Sequence, residues 1–284
     1  MILKKKEKQT NNSLGLKAIN NKHISIQFSL DGFSFCVFNK ENNTVVALRS
    51  YSFEESNNSP QRLITNISSL FKTCDALKLN YNTVSVTHSN DLFAFVPKPL
   101  FNEKNLHRYV SFNNKVYRHD LVVYDLIEKE EMYSVFIPYV NINNFFIDQF
   151  GSFNYKHITA NAVEHLMSIY KYSLKPHVFV NVERNHFQLI VISEKKLLLC
   201  NSYPYKTKED FLYYILFAAE QLKLHPETFE LVFMGAIDRN SPLFEIAHKY
   251  VKNVSMIETR FTCEFNADIT ESDKREHYLL INQN

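Results

Sequence analysis

Eleven histidines, four cysteines and 30 acidic residues are spread over 284 positions. Chemistry depends on whether any of them fall at working distances. Only "HDLVVYD" (119–125) and "KHITANAVEH" (156–165) place a histidine near another polar ligand type, and neither has an established zinc spacing. Cys36, Cys74, Cys200 and Cys263 stand singly, without the short partner spacing of a zinc site or a redox pair, which predicts buried, reduced thiols. A serine nucleophile on a strand-to-helix elbow needs Gly-x-Ser-x-Gly, and no such run occurs. Composition alone leaves other Ser/His/Asp or Cys/His arrangements open. Glycine is the informative scarcity. There are four, Gly15, Gly32, Gly151 and Gly235, where average usage of about 7% would supply roughly twenty. Loops that wrap backbone amides around phosphate usually draw on clustered glycines, and this chain has no cluster.

The length suits two modest domains or one large one. With 45% apolar residues, 24 Phe and 16 Tyr, the chain is globular. A net charge of +2 offers no overall field that steers a protein onto nucleic acid. Lys4–Lys6 read as a solvated end of the chain. No run approaches the roughly 20 apolar residues that span a bilayer, and the start lacks the apolar core of a signal peptide. The expectation is a cytoplasmic protein without a nucleic-acid or membrane partner.

The elements that carry these residues repeat. From His23, "HISIQFSL", "FSFCVFN" and "VVALRSYSF" alternate apolar and polar residues around turns at Asp31-Gly32 and "ENNT", an antiparallel meander. Ser59-Pro60 then caps an amphipathic helix. "LKLNYNT" (77–83) follows it, and then the strand "VSV". From His177, "HVFVNV", "HFQLIVIS" and "LLLCNSYPY" make the same meander. Thr207 with Asp210 marks a capping box, and Phe211–Leu222 is apolar almost all round, as a buried helix would be. "LKLHPET" (222–228) and the strand "FELVFMG" complete the series. Equivalent positions lie 154 residues apart at His23/His177, 152 at Ser50/Ser202 and 145 at the seven-residue connection. These offsets, drifting one way at loops and element ends, indicate an internal duplication. Each copy continues with a helix and a strand: "NINNFFIDQFG" with "FNYKHI", and "SPLFEIAHKYV" with "NVSMIE". The first copy holds an extra segment at about 88–139, with a short helix and two strands, "LVVYDLI" and "MYSVFIP". The expected division is a first half at 20–172 containing that insertion, and a second half with a C-terminal tail at 173–284. Each half is expected to be a mixed five-stranded α/β sheet with helices on both faces.

This order resembles the actin-like ATPase superfamily, built from two ribonuclease H-like halves. The whole pattern, low glycine included, is most similar to an uncharacterised Bacteroidetes domain-of-unknown-function family with that fold. The resemblance covers roughly residues 20–260. It implies ATP held between the halves. The first hairpin of each half would supply an aspartate for magnesium or its water, then a small residue or glycine whose turn amides meet phosphate. Here Gln27 and Ser29 stand at those places in the first half, and Asn181 and Glu183 in the second. A neutral amide is a weaker magnesium ligand than a carboxylate and cannot act as a base. Glu183 would turn a negative charge toward polyphosphate. Of the glycine pair that meets adenosine, only Gly235 is present, followed by Ala236. A ribonuclease H-type nuclease fails at the same place, because its first metal carboxylate is Gln27 here.

The resulting expectation is a remnant cleft of Gln27, Ser29, Asn181, Glu183 and Gly235, with no catalytic residue and no metal. The side chains of the two turns would fill the former phosphate space. No cofactor is expected, with ATP as the disfavoured second choice. The function implied is a non-catalytic scaffold or interaction module. The alternative is a divergent nucleotide or small-ligand binder without magnesium-dependent hydrolysis. A protein partner would dock through the inserted segment if two strands and a helix leave an apolar face uncovered.

Overall fold

The computed structural model describes Leu16, residues 18–53 and residues 59–283; Lys4–Lys6 and Gly15 lie outside the described residues. The chain divides into two compact units. One comprises Met1–Ala160, Phe261–Thr270 and Leu280–Asn284, the other Asn161–Arg260 and Glu271–Leu279.

The first unit opens with β1 (Lys22–Phe28), β2 (Gly32–Asn39) and β3 (Thr44–Ser52), the antiparallel meander the alternation predicts. Helix α1 (Pro60–Thr73) starts where Ser59 accepts from the Arg62 amide, with proline in the first turn. It returns the chain to β4 (Thr83–His88), parallel to β1. The inserted segment follows: β5 (Phe93–Pro97), α2 (Leu106–Ser111), β6 (Val123–Ile127) and β7 (Met132–Phe136). Then come α3 (Val140–Phe150), β8 (Asn154–His157) and α4 (Ile158–Tyr170), which ends in the second unit. The main sheet is ordered β3-β2-β1-β4-β8, and a short sixth strand, β14 (Glu264–Phe265), adds parallel to β3 at its edge.

Alternation decides the two faces of this sheet. Ile24, Ile26 and Phe28 point to Leu63, Ile67, Leu70 and Phe71 of α1 and to Ile142 and Phe146 of α3. On the opposite face, Cys36, Phe38 and Leu48 pack with Ile269, Leu280 and Ile281 near the end of the chain.

The second unit repeats the order: β9 (His177–Val182), β10 (His186–Ser193), β11 (Lys196–Pro204), α5 (Lys208–Gln221), β12 (Glu230–Gly235), α6 (Pro242–Tyr250) and β13 (Asn253–Met256). Its sheet runs β11-β10-β9-β12-β13, with β12 parallel to both β9 and β13. The Thr207–Asp210 capping box is formed in both directions. One face buries Val178, Val180 and Val182 against Phe211 and Ile215 of α5. On the other, Tyr170 of α4 sets its ring 4.9 Å from both His177 and Phe179. Two short helices, α7 (Glu271–Glu276) and α8 (Tyr278–Ile281), follow β14.

Three expectations need correction. The insertion has three strands, in the antiparallel order β5-β7-β6. Both faces of that sheet are covered: Val96 and Val135 pack with Val110 of α2, while the Phe136 ring lies 5.5 Å from His157 of β8. Helix α5 is not buried all round, since Tyr213 and Phe217 stack on each other in solvent. Only Cys36 and Cys74 are buried, with Cys200 and Cys263 half-exposed.

Candidate functional site

The residues singled out by resemblance fall at the ends of two hairpins of the same construction. Phe28 pairs with Phe33 and Val182 with Phe187, so each turn spans four residues. The Ser29 amide donates to the Gly32 carbonyl at 3.0 Å, and the Glu183 amide to His186 at 2.9 Å. The carbonyl two residues into each turn accepts from the far end of the third strand, Phe53 to Asp31 and Tyr205 to Asn185. Register continues the likeness inward. Gln27 lies opposite Ser34, which lies opposite Ser50; Asn181 lies opposite Gln188, which lies opposite Ser202. Both second strands carry a register shift at matching places, Val37/Phe38 and Val191/Ile192.

The polar groups of the second hairpin are spent on one another. Asn181 and Gln188 are almost fully buried, and a buried amide without a partner would be costly. Asn181 Nδ2 donates to Gln188 Oε1 at 2.6 Å, and Gln188 Nε2 donates to Glu183 Oε1 at 3.1 Å. The other carboxylate oxygen of Glu183 lies 3.3 Å from His186 Nε2, a close approach without hydrogen-bond geometry. The Glu183 carbonyl accepts from the Tyr205 hydroxyl at 2.8 Å. This amide chain has a direction, from Asn181 to the carboxylate, and it holds Glu183 against its own hairpin. Arg184 is exposed at the tip.

Gly235 closes the other side of Asn181. It pairs with Val182 at the end of β12 with φ of +85°. A Cβ there would lie 2.3 Å from the Val182 carbonyl oxygen and 2.7 Å from Asn181 Oδ1. The space that glycine leaves is taken by the chain's own strand β9.

In the first hairpin, the Ser29 hydroxyl donates to Asp31 Oδ1 at 2.5 Å, which holds that carboxylate within the turn. Gln27 is half-buried on β1. Its parallel neighbour Thr87 is buried and hydrogen-bonds Gln283, so the last described residues of the chain reach the strand beside Gln27. Gln188, Thr87 and Gln283 were not singled out from sequence. Gln188 could have been found by carrying the pairing register across the turn, seven residues on from Asn181. Gln283 has no local signal. Within each unit the site residues share a hairpin or its neighbouring strand. Among the described residues, no three of His, Cys, Asp and Glu are grouped as metal ligands.

Two meanders, each with a helix returning to a parallel strand beside the first, define the class: the actin-like ATPase fold. A Bacteroides thetaiotaomicron protein of actin-like ATPase fold and unknown function superposes with a TM-score of 0.78 at 21% identity, over 94% of this chain and 97% of that one. The PilM-PilN type IV pilus biogenesis complex superposes at 0.60 with 10% identity, over 92% and 96%. The chain belongs to the DUF3822 family of proteins of unknown function, which matches residues 11–254. No curated protein matches it.

Proposed function

We propose that this chain is a non-catalytic actin-like-fold protein, a scaffold or interaction module whose nucleotide site is degenerate. The observation that carries the reading is the chain Asn181–Gln188–Glu183. In the superfamily pattern the positions of Asn181 and Glu183 face magnesium and phosphate. Here a neutral amide stands at the acid, its donor group is already committed, and a carboxylate stands where a turn amide should meet an anion. Such a donor set does not fit a magnesium–polyphosphate pair. Gln27 is the corresponding amide in the first unit. The matching registers and strand shifts support reading the two meanders and the elements after them as copies of one ancestor, with proposed halves at 20–172 and 173–284 and an insertion at about 88–139. The likeness to PilM-PilN supports a protein partner, and we place the protein in the cytoplasm.

Purified protein is expected to show no magnesium-dependent ATP turnover above a blank, and no rise in Tm with ATP or ADP, with or without magnesium. A ligand at 100 times its Kd would stabilise the fold by about 2.7 kcal/mol, enough for a clear shift. A nucleotide-dependent shift abolished by Asn181→Ala would replace this reading with that of a divergent nucleotide binder. Turnover lost in Gln27→Ala or Asn181→Ala would establish an active site. The double variant Gln27→Asp/Asn181→Asp is expected to remain inactive, since Glu183 is unchanged.

A further inference from the structure

The near-neutral net charge conceals a local asymmetry in the inserted segment. Between residues 98 and 121 there are five basic side chains, Lys98, Lys104, Arg108, Lys115 and Arg118, against two acids, Glu103 and Asp120, in a chain whose total is +2. All five are exposed, and none has an ion-pair partner among the described residues. Lys115 lies over the Tyr117 ring, 5.3 Å from its centroid.

The same segment holds a concentration of exposed apolar side chains. Phe112 is 88% exposed, Leu100 70%, Tyr117 62%, and Leu121, just beyond, 50%. They are not core residues awaiting a lid. The three-stranded sheet already buries Val96, Val110, Val122 and Val135, and Phe101 stacks on Tyr133 at 3.7 Å. The four exposed residues sit in the loops on either side of α2, interspersed in sequence with the cations.

From this combination we infer that residues 98–121 attach the protein to an anionic lipid surface, as a peripheral contact. Isolated aromatic and leucine side chains among lysines and arginines suit an interface where apolar groups enter the headgroup region and cations meet lipid charge. An acidic peptide is the poorer fit, since acidic motifs are read by clustered arginines and only Arg108 and Arg118 of the five cations are arginine. A lipid surface needs no fixed register. No helix among the described residues is long and apolar enough to cross a membrane. Contact through single side chains and surface charge is reversible and sensitive to salt.

The test is co-sedimentation of the full chain with vesicles of phosphatidylcholine alone, and with vesicles that also contain phosphatidylglycerol. Binding is expected only to the anionic vesicles and is expected to fall as salt is raised. Each cation near an anionic surface is worth about fivefold in affinity. Lys104→Glu/Arg108→Glu/Lys115→Glu should therefore weaken binding by more than about tenfold, and Phe112→Ser should weaken it at constant charge. A charge-matched control, Lys206→Glu/Lys249→Glu/Lys252→Glu, alters exposed lysines of the second unit and should leave binding close to wild type. Melting curves confirm that each variant folds. The inference is overturned if wild-type protein ignores anionic vesicles, if the control weakens binding equally, or if an RNA or DNA oligonucleotide outcompetes the vesicles at the same salt.

Discussion

At the scale of single residues, two buried histidines have consequences that a titration can read. His88 and His157 are paired in register at the ends of β4 and β8, and both are fully buried. His88 Nδ1 accepts the Tyr139 amide and His157 Nδ1 accepts the Thr159 amide, so the remaining ring nitrogens carry the proton toward Asn143 Oδ1 and the Asn90 carbonyl. A second proton on His88 would face a backbone N–H. Burial lowers His88 to about 4; burial, then repulsion from His88, lowers His157 to about 3. The unfolded chain, with histidines near 6.5, binds more protons between these values. Stability is therefore full above about pH 6.5 and falls as pH drops toward the folded values, by up to about 1.4 kcal/mol per pH unit for each group. Urea midpoints from neutral pH to about 4.5 should trace this decline, and His157→Gln should flatten it. The glycines offer a second residue-scale contrast. At Gly235 a methyl group meets backbone at 2.3 Å, while at Gly151, with φ of +78°, nothing lies within 4 Å. Gly235→Ala is expected to cost about 3 kcal/mol or more, and Gly151→Ala only about 1–2 kcal/mol from its left-handed backbone. Equal costs in denaturant titrations would show that Asn181 and β9 give way easily.

Among the elements, a chain poor in glycine turns its corners with unsuitable residues. The β10–β11 hairpin places both Glu194 (φ 50°) and Lys195 (φ 64°) in the left-handed region, where asparagine and glycine are the favoured pair. Lys195→Gly is expected to stabilise the protein by about 1 kcal/mol, visible in the denaturant midpoint; no gain would mean that Lys195, over the Tyr172 ring, contributes as much as its backbone costs. Turn chemistry, caps and alternation made most elements legible beforehand: both meanders, the Ser59 and Thr207 caps, and the parallel strands after each helix. What escaped was structure decided by contacts distant in sequence. "FAFVP" is short and ends in proline, tolerable because β5 is an edge strand. The two residues of β14 form a strand only because β3 offers a free edge. The repeated "LKL" shows the same limit. Lys223 ends α5 in a left-handed conformation, whereas Lys78 closes a 3₁₀ turn (Asp75–Lys78). At the candidate site, the amides at Gln27 and Asn181 were legible by resemblance. The partner that engages Asn181 was not, because it lies across a hairpin.

For the whole molecule, the route of the chain matters more than its composition. It passes from one unit to the other four times, after Ala160, Arg260, Thr270 and Leu279. The second face of the first sheet is covered by Ile269, Leu280 and Ile281, residues that follow nearly the entire second unit in sequence. During synthesis, Cys36, Phe38 and Leu48 therefore wait uncovered until residues 269–281 leave the ribosome. A fragment of residues 1–160, made alone, keeps those apolar side chains in water, each worth about 1.5–3 kcal/mol of burial, and is expected to aggregate. Made together with residues 161–284, it should reassemble into a soluble complex that copurifies through a tag on either piece. A soluble fragment 1–160 that melts cooperatively by itself would refute this. A pair of fragments made from this protein would thus be drawn together by residues 261–281, the closing segment that fragment 1–160 lacks.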